Sequence, residues 1–283
     1  MTAETTRFAP SPTGRLHIGH AYAALYADKW ATITGGRFLL RIEDIDETRA
    51  RKEFEEGITG DLAWLGLRWE TPVRRQSEHF DEYAAALGRL KARGLLYRCF
   101  CTRADLAAQA AAIGHAPHGP QLLRYPGTCR ALSDGEANAR AASGAPFALR
   151  LDGARALQES GSLTFVEQGE TGLAGTIPVD PERIDDVVLA RKDTPASYHL
   201  CVVLDDALQQ VSLVTRGADL LEATHLHRLL QAVLGLPAPR YAHHRLITDE
   251  SGKRFAKRDN AVTLSHLRDE GLSAAALRQR LGF

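Results

Sequence analysis

Nowhere does the chain string together the roughly eighteen apolar residues that a membrane-spanning helix needs, so no membrane association is expected. The stretch from Met1 to Arg7 lacks a basic region followed by an apolar one, so no signal peptide is read there and the expected location is cytoplasmic. Net charge is missing too, because 35 basic side chains are matched by 35 acidic ones. That balance argues against a strongly basic nucleic-acid coat, yet leaves room for a local basic groove holding RNA. Internal repeats and low-complexity tails are absent. Cysteine is scarce: Cys99, Cys101, Cys129 and Cys201 are all there is. In a cytoplasmic chain the first three read as metal ligands rather than a disulfide framework, and Cys201, in an apolar stretch, reads as a plain buried thiol.

The rest is ordinary for a globular protein, with 44% hydrophobic and 25% charged residues. A length of 283 residues suits one large domain carrying an inserted or appended module. A short run over 6–10 predicts a buried strand. A helix pattern begins at Ala21 and stops at Gly35 and Gly36. Residues 38–42 predict a second strand, ending in the acidic cluster Glu43, Asp44 and Asp46. Helices are expected over about 52–65 and 80–91. Strand, helix, strand, helix in this order points to a parallel sheet with right-handed crossovers. From Leu96 to about Pro181 the pattern breaks: the cysteines, an Ala-rich helix, a Gly/Pro/His-rich loop and β-like pieces at 147–151 and 163–166 look like an insertion. The α/β pattern returns at 186–189, with strands at 211–214 and 241–248, a helix over 220–234, and two short helices at the end.

The most informative segment is Pro10-Ser11-Pro12-Thr13-Gly14-Arg15-Leu16-His17-Ile18-Gly19-His20. It joins a strand to a helix start at the carboxyl edge of the expected sheet, where open α/β folds bind ligands. A helix N-terminus offers N–H groups and a positive dipole end to phosphate. His17 and His20 can donate to phosphate oxygens, and Gly19, without a Cβ, lets a flat base lie against the backbone. His-x-Gly-His alone is short enough to arise by chance. The run before it changes its weight.

Arg7-Phe8-Ala9-Pro10-Ser11-Pro12-Thr13-Gly14 through His20 resembles the opening of glutamyl-tRNA synthetases and their close relatives, including their HIGH signature. Arg41-Ile42-Glu43-Asp44-Ile45-Asp46 resembles the same family's second strand, and Thr215-Arg216-Gly217-Ala218-Asp219-Leu220 its R-G-x-D-L segment. The family's mobile K-M-S-K-S loop is matched by Arg254-Phe255-Ala256-Lys257-Arg258, in which Lys257 alone keeps its type and place. The resemblance implies an α/β class I synthetase fold: a Rossmann-like parallel sheet with an inserted zinc-bearing α+β module and short C-terminal helices. The catalytic domain would take 1–95 and 182–248, the module 96–181, and the K-M-S-K-S-like loop with terminal helices 249–283.

It also implies chemistry. ATP and L-glutamate are the expected substrates, with Mg2+ accompanying ATP. His17, Gly19, His20 and Lys257 would face ATP, and His17, His20 and Lys257 would be catalytic. Glutamate carries one ammonium and two carboxylates. Glu43 suits the first, Arg7 and Arg216 the others through guanidinium forks, and Ser11 and Tyr198 can add hydroxyl hydrogen bonds. For Glu43 and Arg216 a structural ion pair is the competing reading. In the cysteine cluster, Cys99, Cys101 and Cys129 need a fourth zinc ligand, for which His115 and His118 are ordinary choices. The family's small zinc module has C-x-C followed by Y-x-x-x-C, which implies Tyr125, with His118 as the alternative; this Zn2+ would be structural.

The stretch beyond Arg258 suffices for two short helices and no anticodon-reading domain. The resemblance then implies the branch of the family in which a lone catalytic half receives the anticodon stem-loop of tRNA(Asp) and glutamylates its queuosine. The competing readings are a truncated glutamyl-tRNA synthetase charging a tRNA 3′ end, a non-catalytic RNA- or nucleotide-binding paralogue, and a nucleotidyltransferase with a small-molecule acceptor. No obligate protein partner is expected. The charge set predicts ATP–pyrophosphate exchange that depends on glutamate and is far weaker with glutamine, because a ligand lacking one charge leaves buried polar groups unpaired; far weaker exchange is also expected with aspartate. Equal exchange with glutamine would refute this pocket.

Overall fold

The structure, a computed structural model, describes residues 2–102, 104–106, 125–247 and 262–283. Strand β1 (Thr5–Phe8) is buried at Thr6, Arg7 and Phe8. Helix α1 (Ile18–Thr34) starts three residues earlier than its apolar pattern suggests, because His17 caps it. It ends at Gly35, whose φ of 63° is the left-handed conformation that glycine adopts without strain. Gly36 is required by proximity: a Cβ there would stand 1.9 Å from the Glu4 carbonyl oxygen. Strand β2 (Arg37–Ile42) then runs parallel to β1, with Arg7 opposite Leu39. Helix α2 (Lys52–Trp64) leads to the short strand β3 (Arg74–Arg75), again parallel to β2.

Helix α3 (Phe80–Ala92) buries Tyr83, Ala86, Leu87 and Leu90 on one face, as its spacing predicts. Strand β4 (Leu96–Cys99) follows. The Ala-rich helix expected ahead of the Gly/Pro/His-rich loop lies largely outside the described residues, and the next two helices were not expected. Helix α4 (Asp134–Ala142) is started by a capping box of Ser133 and Glu136, and α5 (Gly153–Ser160) by the Asp152 side chain. Between them lies β5 (Ala148–Leu151). Strands β6 (Thr164–Glu167) and β7 (Gly175–Pro178) form an antiparallel pair. Strand β8 (Val188–Arg191) is antiparallel to β5, which is antiparallel to β4.

Helix α6 (Tyr198–Leu208) was also not expected. It is buried at Leu200, Cys201, Val202, Val203, Asp205 and Asp206, and burial on nearly every side erases the periodicity by which a helix is recognised. Strand β9 (Leu213–Gly217), helix α7 (Leu221–Leu234) and strand β10 (Arg240–His244) form a parallel unit, and β10 is also parallel to β6. The two parallel groups adjoin at β1 and β9, where the Ser212 amide donates to the Thr5 carbonyl (3.0 Å) and the Thr5 amide to Ser212 Oγ (2.9 Å). Helices α8 (Leu264–Asp269) and α9 (Ala274–Leu281) place Leu264, Leu277 and Leu281 in the core beside α1 and α2.

The fold is thus α/β with a parallel sheet. Its sheets run across the expected division at 181/182. Strand β6, from the expected insertion, pairs with β10 of the main sheet, and β8, expected in the second catalytic half, pairs with β5. A strand follows whichever edge satisfies its hydrogen bonds, and a linear walk along the sequence cannot see that edge. Among the described residues no helix is long and apolar enough to cross a membrane.

Candidate functional site

From the seam between β1 and β9 the sheet grows in opposite directions, toward β2 on one side and β10 on the other. Such a switch point opens a crevice at the carboxyl ends of the strands. Arg7 near the end of β1, Glu43 just after β2 and Arg216 near the end of β9 are brought there by the sheet alone. Ser11 joins them because the Glu43 amide donates to the Pro10 carbonyl (3.0 Å). Tyr198 opens α6, and its phenol lies within the electrostatic reach of Arg216, Glu43 and Arg7; burial raises its pKa.

Asp206 holds this side of the crevice. Its carboxylate accepts from Arg7 Nε (2.9 Å) and Nη2 (3.3 Å) and from Arg41 Nη1 (2.7 Å), while Arg7 Nη1 donates to the Thr215 carbonyl (2.9 Å). Burial opposes the charge on Asp206, but Arg7 and Arg41 outweigh it and hold its pKa below the usual range. Arg41 is fully buried and also donates to Glu43 Oε1 (3.2 Å). Next door, Asp205 accepts from Arg74 Nε (2.8 Å), Gln76 Nε2 (2.7 Å) and the Tyr83 hydroxyl (3.0 Å). Glu43 is left poised. Burial raises its pKa even though Arg41 and Arg7 pull the other way, so an incoming ammonium would restore stability to its charged form.

Glu43 does sit in a structural ion pair, the reading weighed against it, but its partner is Arg41 and not Arg216. Arg216 donates from Nη1 to His227 Nδ1 (2.8 Å), from Nη2 to Thr224 Oγ1 (2.7 Å) and from Nε to His243 Nε2 (3.1 Å). His227 in turn meets His199 (3.0 Å), and His243 meets Glu167 (2.5 Å). All of Arg216, His227, His243 and Glu167 are buried.

The two histidines of the HIGH-like segment serve the helix first. His17 Nδ1 accepts from the Gly19 amide (3.1 Å) and His20 Nδ1 from the His17 amide (3.2 Å), a reciprocal cap with ring centroids 3.8 Å apart. With Nδ1 accepting, the neutral ring carries its proton on Nε2, the nitrogen suited to donate to a phosphate. At Gly19 a Cβ would lie 3.0 Å from His17 Cε1, a tight approach to the capping ring. Thr263 forms a β-bridge with His17, and the Leu264 amide donates to the Leu16 carbonyl (2.9 Å), so the chain re-enters beside this helix start. Lys257, with the rest of the loop from Arg254 to Arg258, lies outside the described residues.

A second cluster sits beyond β4. The sulfurs of Cys99, Cys101 and Cys129 all lie within 4.8 Å of one another, Cys101 and Cys129 at 3.5 Å. The Tyr125 hydroxyl stands 3.4 Å from Cys99 Sγ and 3.7 Å from Cys101 Sγ. A tetrahedral zinc with Zn–S bonds of about 2.3 Å has edges of about 3.8 Å, so three thiols and one phenol at these spacings fit such an ion. The Phe100 amide donates to Cys129 Sγ (3.3 Å), and the Arg150 guanidinium stacks 3.9 Å from the Tyr125 ring; both favour negative charge on these ligands. The alternatives His115 and His118 lie outside the described residues. Cys201 is the buried thiol expected, its pKa raised by burial.

Sequence reasoning missed Arg41, Asp206, His227, His243 and Glu167. A signal existed for one of them: Asp205-Asp206 interrupts an otherwise apolar stretch, and buried acids need partners.

A family model described as tRNA synthetases class I (E and Q), catalytic domain, matches residues 4–282. The glutamyl-Q tRNA(Asp) synthetase of Rhodobacter capsulatus is 50% identical over 98% of this chain and 99% of its own length. The glutamate–tRNA ligase of Aquifex aeolicus is 37% identical over 98% of this chain, which spans 56% of that protein. The crystal structure of a glutamate tRNA ligase from Elizabethkingia meningosepticum in complex with its amino acid has a TM-score of 0.81 at 27% identity, with 99% of this chain and 60% of that one covered. The chain therefore matches the first relative end to end and three fifths or less of the two ligases.

The charge network yields a stability prediction. Asp206→Asn removes the shared acceptor of two buried guanidiniums and is expected to cost roughly 3–5 kcal/mol in denaturant unfolding. An unchanged unfolding midpoint would contradict the account of Asp206 given above.

Proposed function

The chain belongs to the class I tRNA synthetases of the E and Q type and is a ligase of that kind, and from this premise we propose that it activates L-glutamate with ATP and transfers it to queuosine at the wobble position of tRNA(Asp). The observation that carries the reading is the crevice itself: one poised carboxylate, Glu43, and two anchored guanidiniums, Arg7 and Arg216, all three around the Tyr198 phenol, with a helix start capped by His17 and His20. Glutamate has the complementary charges. End-to-end likeness to a protein named for the queuosine reaction supports the acceptor.

In this reading Glu43 takes the ammonium, Arg7 and Arg216 take the carboxylates, and Ser11 and Tyr198 add hydroxyl contacts. The α-carboxylate oxygen attacks the α-phosphorus of ATP and pyrophosphate leaves. His17 and His20 donate from Nε2 to phosphate oxygens, Gly19 keeps the cap compact, and Lys257 adds a point charge. These groups act by positioning and by stabilising charge that develops on the phosphate. Mg2+ would accompany ATP, held largely by phosphate and water. A hydroxyl of the queuosine cyclopentene diol then attacks the acyl carbon and AMP departs. A vicinal diol resembles a terminal ribose, so one site can serve it. The enzyme would act in the cytoplasm.

Cys99, Cys101, Tyr125 and Cys129 would hold a structural Zn2+, which ties the segment after β4 to the strand. Elemental analysis is expected to find one zinc per chain and its loss in Cys129→Ser. Metal-free protein with three readily alkylated thiols would count against the site.

The acceptor is tested by incubating the protein with ATP, labelled glutamate and bulk tRNA. Label is expected on queuosine-containing tRNA(Asp), alkali-labile and retained after removal of the 3′ terminal adenosine. Label on the 3′ end of tRNA(Glu) would instead establish a charging ligase.

A further inference from the structure

We propose that His227 and His243 are positioning residues that fix the plane of the Arg216 guanidinium for a carboxylate, each locked in one tautomer by a partner on its far side. The inference rests on the reading above, in which Arg216 binds glutamate. It concerns residues that do not themselves touch the ligand.

The argument is one of donors and acceptors. A guanidinium only donates, so every nitrogen facing it must offer a lone pair. His243 Nε2, at 3.1 Å from Arg216 Nε, is therefore unprotonated, and the proton of the neutral ring sits on Nδ1. There it donates to Glu167 Oε2 at 2.5 Å. Glu167 cannot turn away, because its other oxygen accepts from the main-chain amides of His243 (2.9 Å) and Gly169 (2.7 Å). Gly169 must be glycine, since a Cβ there would lie 2.2 Å from the His243 carbonyl oxygen. The buried carboxylate of Glu167 thus answers the buried charge of Arg216 through an imidazole.

His227 is set the opposite way. Its Nδ1 accepts from Arg216 Nη1 at 2.8 Å, so its proton is on Nε2 and is donated to His199 Nδ1 at 3.0 Å. Burial first, and the charge of Arg216 second, keep both rings neutral; the pKa of His199 falls to about 4 and that of His227 well below its ordinary value. Moving the proton of either ring to its other nitrogen would face a donor with a donor in a buried site. Thr224 Oγ1 takes a third Arg216 donor at 2.7 Å. Of the five guanidinium N–H groups these partners consume one on each nitrogen, which leaves one on Nη1 and one on Nη2. Two donors on separate nitrogens match the two oxygens of a carboxylate.

The test compares His227→Gln with His227→Phe in glutamate-dependent ATP–pyrophosphate exchange. Glutamine keeps an acceptor and a donor about as far apart as the two imidazole nitrogens; phenylalanine keeps the ring and loses both. His227→Phe is expected to raise the KM for glutamate about tenfold or more, the worth of one hydrogen bond to a charged group, and to leave the KM for ATP unchanged. His227→Gln is expected to restore most of that loss. A glutamate KM unchanged in His227→Phe, or equally raised in both variants, overturns the proposal. Imidazole 15N spectra of the wild-type protein at neutral pH give a measurement independent of how the variants fold. His227 protonated on Nε2 and His243 on Nδ1 are expected; the reverse tautomers, or an imidazolium at His227, overturn it. Exchange absent from the wild-type protein strikes the functional reading and this one together. Exchange present but insensitive to His227 strikes this one alone.

Discussion

Asp206 sits between two guanidiniums in a place with almost no water, and the rest of the structure is arranged so that this is tolerable. An isolated ion there would cost several kcal/mol. The cost is met because Arg7 at the end of β1, Arg41 in β2 and Asp206 in α6 meet with hydrogen-bonding geometry, although 199 and 165 residues of sequence separate the acid from its two partners. The network extends through Glu43 on one side and through Asp205, Arg74, Gln76 and Tyr83 on the other. It welds the first strands of the chain to helix α6, far along the sequence. It also means that Arg7 reaches the crevice already oriented, with Asp206 and the Thr215 carbonyl consuming part of its fork. Preorganisation of this kind spares a ligand the entropy of ordering its own receptor.

What could be read from the sequence follows from what repeats locally. Alternation of strand and helix, the glycine stops at Gly35 and Gly36, and the face of α3 are short-range patterns, and the structure reproduces them. The C-x-C pair Cys99 and Cys101 was equally local and meets Cys129 in a real cluster, with Tyr125, which the family resemblance implied, beside it. Helix α6 was not legible, because burial on nearly every side leaves no broad polar face to mark its period. The partners of Arg216 were not legible either. Glu167 and His243 lie 76 residues apart, and only the pairing of β6 with β10 brings them together. Histidine compounds the difficulty, since its role depends on which nitrogen holds the proton, and composition carries no trace of that.

The helix start at His17 shows one residue type performing two tasks. Capping ties down Nδ1 of both rings, and the same tie decides where the remaining proton resides. A serine or aspartate would cap as well and would offer no second nitrogen. The Thr263 bridge adds a mechanical element, because the chain returns to the very residue that opens the helix.

Strand β6 has a consequence for how such proteins change over generations. It belongs by sequence to a stretch that looks transplantable, bounded by the cysteine cluster on one side and by the strand β8 on the other. Yet its last residue, Glu167, supplies the counter-charge that reaches Arg216 through His243. A foreign segment grafted in its place would have to deliver an acid at that one strand position, in register with β10, and a glycine two residues on. Exchange of this stretch is therefore constrained in this chain in a way that sequence boundaries conceal: the apparent passenger carries the counter-charge, and the acid and the strand it pairs with have to be kept together.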